Sequence, residues 1–306
     1  MTNSILITGG SGMIGRRLTE ILLQKGSRVS HLGRFKVVSP SKSFVWDVKK
    51  GILEQGALEG VDTIIHLAGA GIADKRWTAA RKREILESRI QSTALLFEHL
   101  RSSPHSVRTI VSASAIGYYG FGTPDQIFTE ESPPGNDFLS TVVCNWEKEV
   151  DKLESLGIRV VKIRIGIVLS KRGGALWEMA RPVRWFLGAP LGTGQQVISW
   201  IHVEDLCRVF VRAVEDDSLT GVFNTTAGTV TNRELTELIG KALNRKIWLP
   251  SIPAFVLRMI LGEVADAVVN GSNVSSVKII KSGFVLEFPE LSLALQDLLN
   301  SKDSGK

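Results

Sequence analysis

Three glycines at three-residue spacing, Gly9, Gly12 and Gly15, follow the apolar run Ile5-Leu6-Ile7 and Thr8, and a helical pattern begins at Met13. The spacing predicts a buried strand turning into a helix through a loop without side-chain bulk. Missing Cβ atoms let the backbone approach a pyrophosphate, whose charge is met by amides and dipole at the helix N-terminus. Thr8, Gly9, Gly12, Met13, Ile14 and Gly15 are therefore expected to hold a dinucleotide. The strand before and the helix after lift this loop above a bare glycine triplet. At the end of a second strand, an acid would bond the ribose 2′-hydroxyl, whereas a cation would accommodate a 2′-phosphate. That end reads His31-Leu32-Gly33-Arg34, with no carboxylate. A guanidinium meets phosphate in a bidentate way, so NADP is the expected cofactor. Asp47, after a third strand, either contacts the adenine amine or caps its own loop. Leu67-Ala68-Gly69-Ala70 is the small-residue turn expected to pass beside the cofactor.

These groups need an alternating scaffold, and the chain supplies its pattern. Strands are expected at Arg28 to Leu32, Phe44 to Trp46, Val61 to Leu67, Val107 to Ala113 and Ile158 to Leu169. Helices are expected at Thr78 to Leu100 and Phe138 to Leu156, the first with Leu86, Ile90, Thr93, Phe97 and Leu100 on one face. This is the alternation of an α/β protein, a Rossmann-type doubly wound parallel sheet with right-handed crossovers. The pattern loosens from about Gly173. A Gly/Pro-rich stretch (188–194) precedes the segment Gln195 to Ile201. Helices follow at Val203 to Glu215, Asn232 to Leu243 and Ala254 to Asn270, with a strand at Gly221 to Thr225. The expected organisation is an NADP-binding domain over 1–172, which also receives the strand near 221–225. A smaller, interleaved C-terminal substrate lobe follows over 173–306.

Composition limits the alternatives. The chain has 306 residues, of which 43% are hydrophobic and 22% charged, an ordinary globular balance able to bury a sizeable core. Apolar runs are interrupted by charge, and the chain opens directly into a strand, so neither a membrane span nor a signal peptide is expected. The two cysteines, Cys144 and Cys207, read as small core residues of a reducing, cytoplasmic compartment. The five histidines lie at no ligand spacing, so no metal is expected. The net charge of +6 has one dense basic cluster, from Lys75 to Arg89, and no nucleic-acid module. A solvated helix face, or attraction of an anionic cofactor and a small anionic substrate, explains it better than nucleic acid. Neither nucleic acid nor membrane is an expected partner; a homodimer is an expectation that the sequence leaves open.

Proton chemistry is the harder question. Short-chain dehydrogenases use a Ser or Thr with a Tyr and a Lys four residues apart, the Lys lowering the pKa of the phenol. Ser112-Ala113-Ser114 ends the fifth strand, facing the expected nicotinamide position. The chain has two tyrosines, Tyr118 and Tyr119, and Gly122 and Thr123 stand four residues beyond them. Aligning Glu147 with the acid that often follows the pair puts Leu139 and Val143 in its positions, and neither moves a proton. The Tyr–Lys pair is absent.

The chain resembles the atypical extended short-chain dehydrogenases/reductases known as epimerase family proteins, which are nucleoside-diphosphate-sugar epimerase-like or cell-division-inhibitor-like. They end in a small C-terminal domain of unknown function. The likeness rests on TGGSGMIG, HLAGAGI with a following RW, ESRI, SASAIGYYG, NWE, RIGIVLSKRGGAL, GTGQQVISWIHVEDL, FNTTAG, and a tail with IPAFVLRMILGE, SGF and FPEL. It implies an NADP-type cofactor and a substrate resembling a sugar nucleotide. It supplies no reaction, because these relatives generally lack the Tyr–Lys pair as well. Carried over by position, Gly9, Gly12 and Gly15 hold the pyrophosphate and Arg34 the adenosine end. Ser112 and Ser114 sit beside the nicotinamide, with Tyr118 and Tyr119 either surrogate acids or a packed pair. Arg164 and Gly166 fall where the backbone passes the nicotinamide amide. Arg89 either anchors an anionic substrate or forms a surface ion pair. Arg76-Trp77 is either a pocket wall or a staple of the long helix. Gln196, Ser199, Trp200, His202 and Asp205 resemble the substrate-lobe motif, with His202 either a proton carrier or a helix-entry residue partnered by Asp205. Glu147 is expected to pack and cap, with a base role as its alternative. Two readings follow: an NADP-dependent oxidoreductase or epimerase-like isomerase, and a non-catalytic NADP(H)-binding regulator.

Overall fold

Ile5, Leu6 and Ile7 are at most 1% exposed, and Ile64 and Ile65 are fully buried, as a parallel strand covered on both faces requires. The computed structural model describes residues 3–36 and 41–300. Its strands are β1 (Ser4–Thr8), β2 (Arg28–Gly33), β3 (Lys42–Asp47), β4 (Ile52–Leu53), β5 (Thr63–His66), β6 (Thr109–Ala115), β7 (Ile127–Phe128), β8 (Arg159–Ile165), β9 (Ile167–Leu169), β10 (Val197–His202), β11 (Gly221–Thr225), β12 (Gly228–Thr231) and β13 (Asn273–Val274). Its α-helices are α1 (Met13–Gln24), α2 (Ala79–Ser102), α3 (Phe138–Asp151), α4 (Ala175–Arg184), α5 (Val203–Glu215), α6 (Asn232–Ala242), α7 (Ala254–Leu261), α8 (Val264–Val269), α9 (Val277–Lys281) and α10 (Leu291–Asn300).

The chain forms two compact units. The first comprises Met1–Tyr118, Phe138–Arg164 and Cys207–Phe223, and the second comprises the remaining segments, Tyr119–Asp137, Ile165–Leu206 and Asn224–Lys306. A large sheet orders its strands β11-β8-β6-β5-β1-β2-β3-β4. The β1–β2, β1–β5, β2–β3 and β5–β6 pairs are parallel, and the edge strand β4 runs antiparallel to β3. The expected α/β, mostly parallel Rossmann-type sheet is therefore present. From β1 the chain winds outward through β2 and β3, then returns to lay β5 and β6 on the other side. Strand order thus reverses between β1 and β5, and in such sheets ligands bind outside the carboxyl ends of the strands at that switch point. Gly9 follows β1 there, and Leu67 follows β5.

Two helices show how side chains set this frame. In α1, Gly15, Leu18, Thr19 and Leu22 are buried on one stripe, the spacing of an amphipathic helix. The α2 helix starts where Thr78 accepts a bond from Arg81 N and carries His99 and Arg101 in its last turn, complementing the dipole. Its buried stripe is Arg81, Ile85, Arg89, Thr93, Leu96 and Leu100. Of the expected stripe Thr93 and Leu100 are buried, whereas Leu86, Ile90 and Phe97 are only half-buried. Arg81 and Arg89, which bond the carbonyls of Gly71 and Ala70, are buried on this face as well.

The second unit holds the three-stranded sheet β12-β10-β9 and the pair β13-β7. Two expectations are corrected here. The strand expected over Ile158 to Leu169 is broken at Gly166 into β8 and β9, and there the backbone passes so close to Ser199 that a Cβ would lie 2.7 Å from its carbonyl oxygen. The helix expected over Ala254 to Asn270 is two helices, α7 and α8, parted at Gly262 with φ +64°. Among the described residues no helix is long and apolar enough to cross a membrane.

Candidate functional site

The loop between β1 and α1 is built from backbone meeting backbone. Gly9 has φ +69°, and a Cβ there would stand 3.1 Å from the carbonyl of Leu67. At Gly15 a Cβ would meet Gly10 Cα and Gly9 O at 2.7 Å. Gly12 is the N-cap of α1, and a Cβ there would meet only Gly9 O, at 3.3 Å. No side chain caps α1 and no acid lies in its first turn, so its leading amides and positive dipole end face outward without a protein anion. An exposed glycine at such a helix start is a cradle that a larger residue would fill. The loop fits a dinucleotide pyrophosphate. Gly15→Ala is expected to force the helix off the loop, costing about 1–3 kcal/mol. Urea unfolding with and without NADPH checks this; unchanged stability and affinity would refute the packing argument.

Two histidines, both outside the sequence expectations for the site, support this loop. His31 packs under Gly10, where a Cβ would come within 2.6 Å of its ring, and its Nε2 lies 2.8 Å from Thr19 Oγ1. The Thr19 hydroxyl donates to Gly15 O, so it accepts from His31. His66, at the end of β5, is fully buried. Thr8 Oγ1 accepts from Leu67 N and Ala68 N, both at 3.1 Å, so its proton goes to His66 Nδ1 at 2.8 Å. His66 Nε2 then donates to Thr93 Oγ1 at 3.1 Å, and Thr93 donates to Arg89 O at 2.8 Å. Each proton in this chain is fixed by the next acceptor. Burial, with the Arg89 charge nearby, lowers the His66 pKa to about 4.

Arg89 is the unusual charge of the first unit. Its side chain is 9% exposed, and burial, then the Arg81 charge, pushes its pKa down to about 10. Its Nη1 donates to Ala70 O and Ile85 O at 3.0 and 2.9 Å, and its guanidinium lies 5.2 Å from the Trp146 ring centroid. No carboxylate pairs with it among the described residues. Nε and Nη2 have no protein hydrogen-bond partner, yet neither is among the sealed buried atoms. A Cβ at Gly69 would lie 3.1 Å from Cζ, so the turn after β5 runs directly beside this cation.

At the end of β6 a second buried cluster forms. Ser114 Oγ donates to Glu147 Oε1 at 2.5 Å. Arg164 clasps the same carboxylate with Nε on Oε1 at 2.8 Å and Nη2 on Oε2 at 2.7 Å. The Arg164 guanidinium carbon also stacks 3.3 Å above the ring centroid of Tyr118. Ser112 Oγ donates to Ala113 O at 2.9 Å. Leu139 and Val143 pack towards Gly117, whose Cβ would lie 3.4 and 3.9 Å from them. The space that a Tyr–Lys pair would use is therefore apolar, and one turn along α3 the bidentate ion pair begins.

The remaining expected residues lie as follows. Arg34 is exposed at the end of β2, and Met13 and Ile14 are half-buried at the start of α1. Asp47 Oδ1 accepts from Lys49 N and Lys50 N, both at 3.2 Å, capping its own turn. Arg76 is exposed, whereas Trp77 is buried, donating to Ile72 O at 2.9 Å and meeting Phe138 edge-on at 5.1 Å. In the second unit, Tyr119 donates to Asn224 Oδ1 at 2.7 Å and stacks on Phe128. Gly166 N donates to Thr225 O at 3.1 Å. Gln196 Nε2 bridges Leu191 O and Val268 O, and Trp200 is 2% exposed. His202 accepts from Glu204 N, stacks on Phe288 at 3.8 Å and has Nε2 3.3 Å from Asp297. Asp205 accepts from the backbone of Glu287 and Phe288. Tyr119, Gly166, Gln196, His202 and Asp205 are thus engaged inside their own unit.

Known proteins share this chain's sequence and fold. The sequence profile of the NAD dependent epimerase/dehydratase family matches residues 5–225, and that of a domain of unknown function (DUF1731) matches residues 252–298. Epimerase family protein SSP1921 of Staphylococcus saprophyticus is 37% identical over 305 residues, covering 96% of this chain and 99% of the relative. The human epimerase family protein SDR39U1 (isoform 2), solved with NADPH, superposes with a TM-score of 0.87 at 30% identity, covering 98% of this chain and 100% of that one. The nucleoside-diphosphate sugar epimerase of Corynebacterium glutamicum gives 0.79 at 30% identity, over 98% of this chain and 58% of its own. By sequence and by fold, the chain belongs to the NAD dependent epimerase/dehydratase family, with the DUF1731 domain at its C-terminus.

Proposed function

We propose that the chain is an NADP-binding oxidoreductase or epimerase-like enzyme acting on a small anionic or sugar-nucleotide-type substrate. The observation that carries this reading is Arg89: a buried cation with, among the described residues, no carboxylate partner and two unbonded nitrogens, and with a glycine turn beside it. An unpaired buried charge is costly, and a ligand anion would offset that cost. The human relative solved with NADPH and the absence of an acid beside Arg34 support NADP over NAD.

The first unit supplies the groups that would do this work. Gly9, Gly12, Gly15 and the first amides of α1 would hold the pyrophosphate, and Arg34 the 2′-phosphate. A bound nicotinamide supplies hydride transfer. The proton must then come from the protein or from water. The Ser114 hydroxyl is engaged as a hydrogen-bond donor to Glu147, and that of Tyr119 as a donor to Asn224. Tyr118 is the more exposed phenol, its ring fixed by Arg164, and its hydroxyl is the group we assign to proton transfer. The apolar Leu139 and Val143 favour a second reading, a non-catalytic NADP(H)-binding regulator.

Titration with NADPH and NADH tests the cofactor. In Arg34→Ala, loss of a charged hydrogen bond should weaken NADPH binding about 10–100-fold and leave NADH nearly unchanged. Equal losses for both would refute the assignment. Stereospecific loss of deuterium from labelled NADPH with a panel of sugar nucleotides tests catalysis, and Arg89→Ala should suppress it. No turnover across the panel would favour the regulator.

A further inference from the structure

The second unit carries an apolar patch that the proposed reaction does not use. After α4, Trp185, Phe186 and Leu187 are 74, 53 and 61% exposed, and Trp248 is 63% exposed. The two stretches, some sixty residues apart in sequence, are joined in space. Trp248 Nε1 donates to Phe186 O at 3.2 Å, and the Arg245 guanidinium lies 4.6 Å from the Phe186 ring centroid. Phe186 holds φ +62°, a left-handed conformation that an aromatic residue seldom adopts. Solvated surfaces gain nothing from three consecutive bulky apolar side chains held in such a turn.

The charge that flanks the patch in sequence has one sign. Residues 179–203 and 238–262 contain no Asp or Glu. Arg181 and Arg184 stand beside Trp185, and Arg245 and Lys246 precede Trp248. None of these four cations has a carboxylate within ion-pair distance among the described residues. A second copy of the chain would bring two cationic rims face to face, which like-charge repulsion opposes. A bilayer with anionic headgroups satisfies both halves of the pattern. Indole and phenyl rings settle at the headgroup boundary, and phosphates meet the arginines and lysine.

We propose that this aromatic, cation-rimmed face of the C-terminal unit docks reversibly on an anionic lipid surface. That no helix among the described residues could cross a membrane does not bear on this, because the patch lies on the surface and is assembled from separate segments.

Co-sedimentation of the full chain with vesicles is the test. The probe is about 30% phosphatidylglycerol in phosphatidylcholine, against pure phosphatidylcholine. We expect binding at least about tenfold stronger on the anionic vesicles, weakened in about 0.5 M salt by screening of the cations. The doubly substituted W185S/L187S chain should lose most binding, and so should R181E/K246E, with NADPH affinity and circular dichroism unchanged in both. Equal binding to both vesicle types, or none, would overturn the proposal. So would loss of binding in R181E/K246E but not in W185S/L187S, which would leave only diffuse charge attraction. Concentration-dependent self-association abolished by W185S/L187S would assign the face to a second copy instead. Preferential binding to an acidic polypeptide such as polyglutamate over the anionic vesicles would assign it to a protein partner.

Discussion

Arg164→Met is expected to destabilise the protein by about 3–5 kcal/mol, the cost of removing one partner of a buried ion pair. Glu147 is 6% exposed and Arg164 3% exposed, so water cannot replace the missing charge. After the substitution the carboxylate keeps only the Ser114 hydroxyl, and the Tyr118 ring loses the cation stacked on it. Urea unfolding of the wild-type and variant chains measures the loss. The double variant R164M/E147L removes both charges and should recover most of it, because a buried pair replaced by apolar groups is often close to neutral. The cycle separates the pair from the packing around it. A single-variant loss below about 1 kcal/mol would mean that water reaches the pair and that the cluster is no rigid support for Tyr118.

The contrast between this pair and the glycine loop shows what a sequence reveals. The loop is a local object: strand, turn and helix follow within fifteen residues, and Gly12 and Gly15 meet backbone only a few positions away, although Gly9 also meets the distant Leu67. The glycine turn and the alternating sheet were legible for that reason. Glu147 and Arg164 lie seventeen residues apart on a helix and a strand, and nothing in either segment names the other. Arg81 and Arg89 misled for a related reason. Apolar periodicity treats arginine as a surface residue, but both bond carbonyls of the 70–71 turn and take the buried stripe of α2. The tail failed differently. Its apolar spacing continues across Gly262, and the left-handed backbone that parts α7 from α8 leaves no mark on the pattern.

Acid should weaken the fold through His66. Its pKa is about 4 in the folded chain and near its ordinary 6.5 when unfolded. Below pH 6.5 the unfolded chain takes up this proton while the folded chain resists it. The stability contributed is therefore fully present above 6.5 and is lost as pH falls towards 4, with a limit of about 3 kcal/mol. The cause is local and has two parts: the ring is sealed from water, and its Nδ1 already accepts the Thr8 proton. Protonation would set two donors against each other, and Thr8 cannot turn away without releasing Leu67 N and Ala68 N. These amides shape the turn beside Gly9, so affinity for the dinucleotide should fall over the same range. His31 and His202 are also held below the ordinary histidine range by burial, so the wild-type slope alone does not isolate His66. His66→Gln does. Urea unfolding at neutral pH and near about pH 4.5 should show a stability gap between wild type and variant that narrows in acid by about 2 kcal/mol or more. A gap of equal size at both pH values would mean that His66 does not couple the β1–β5 switch point to protons.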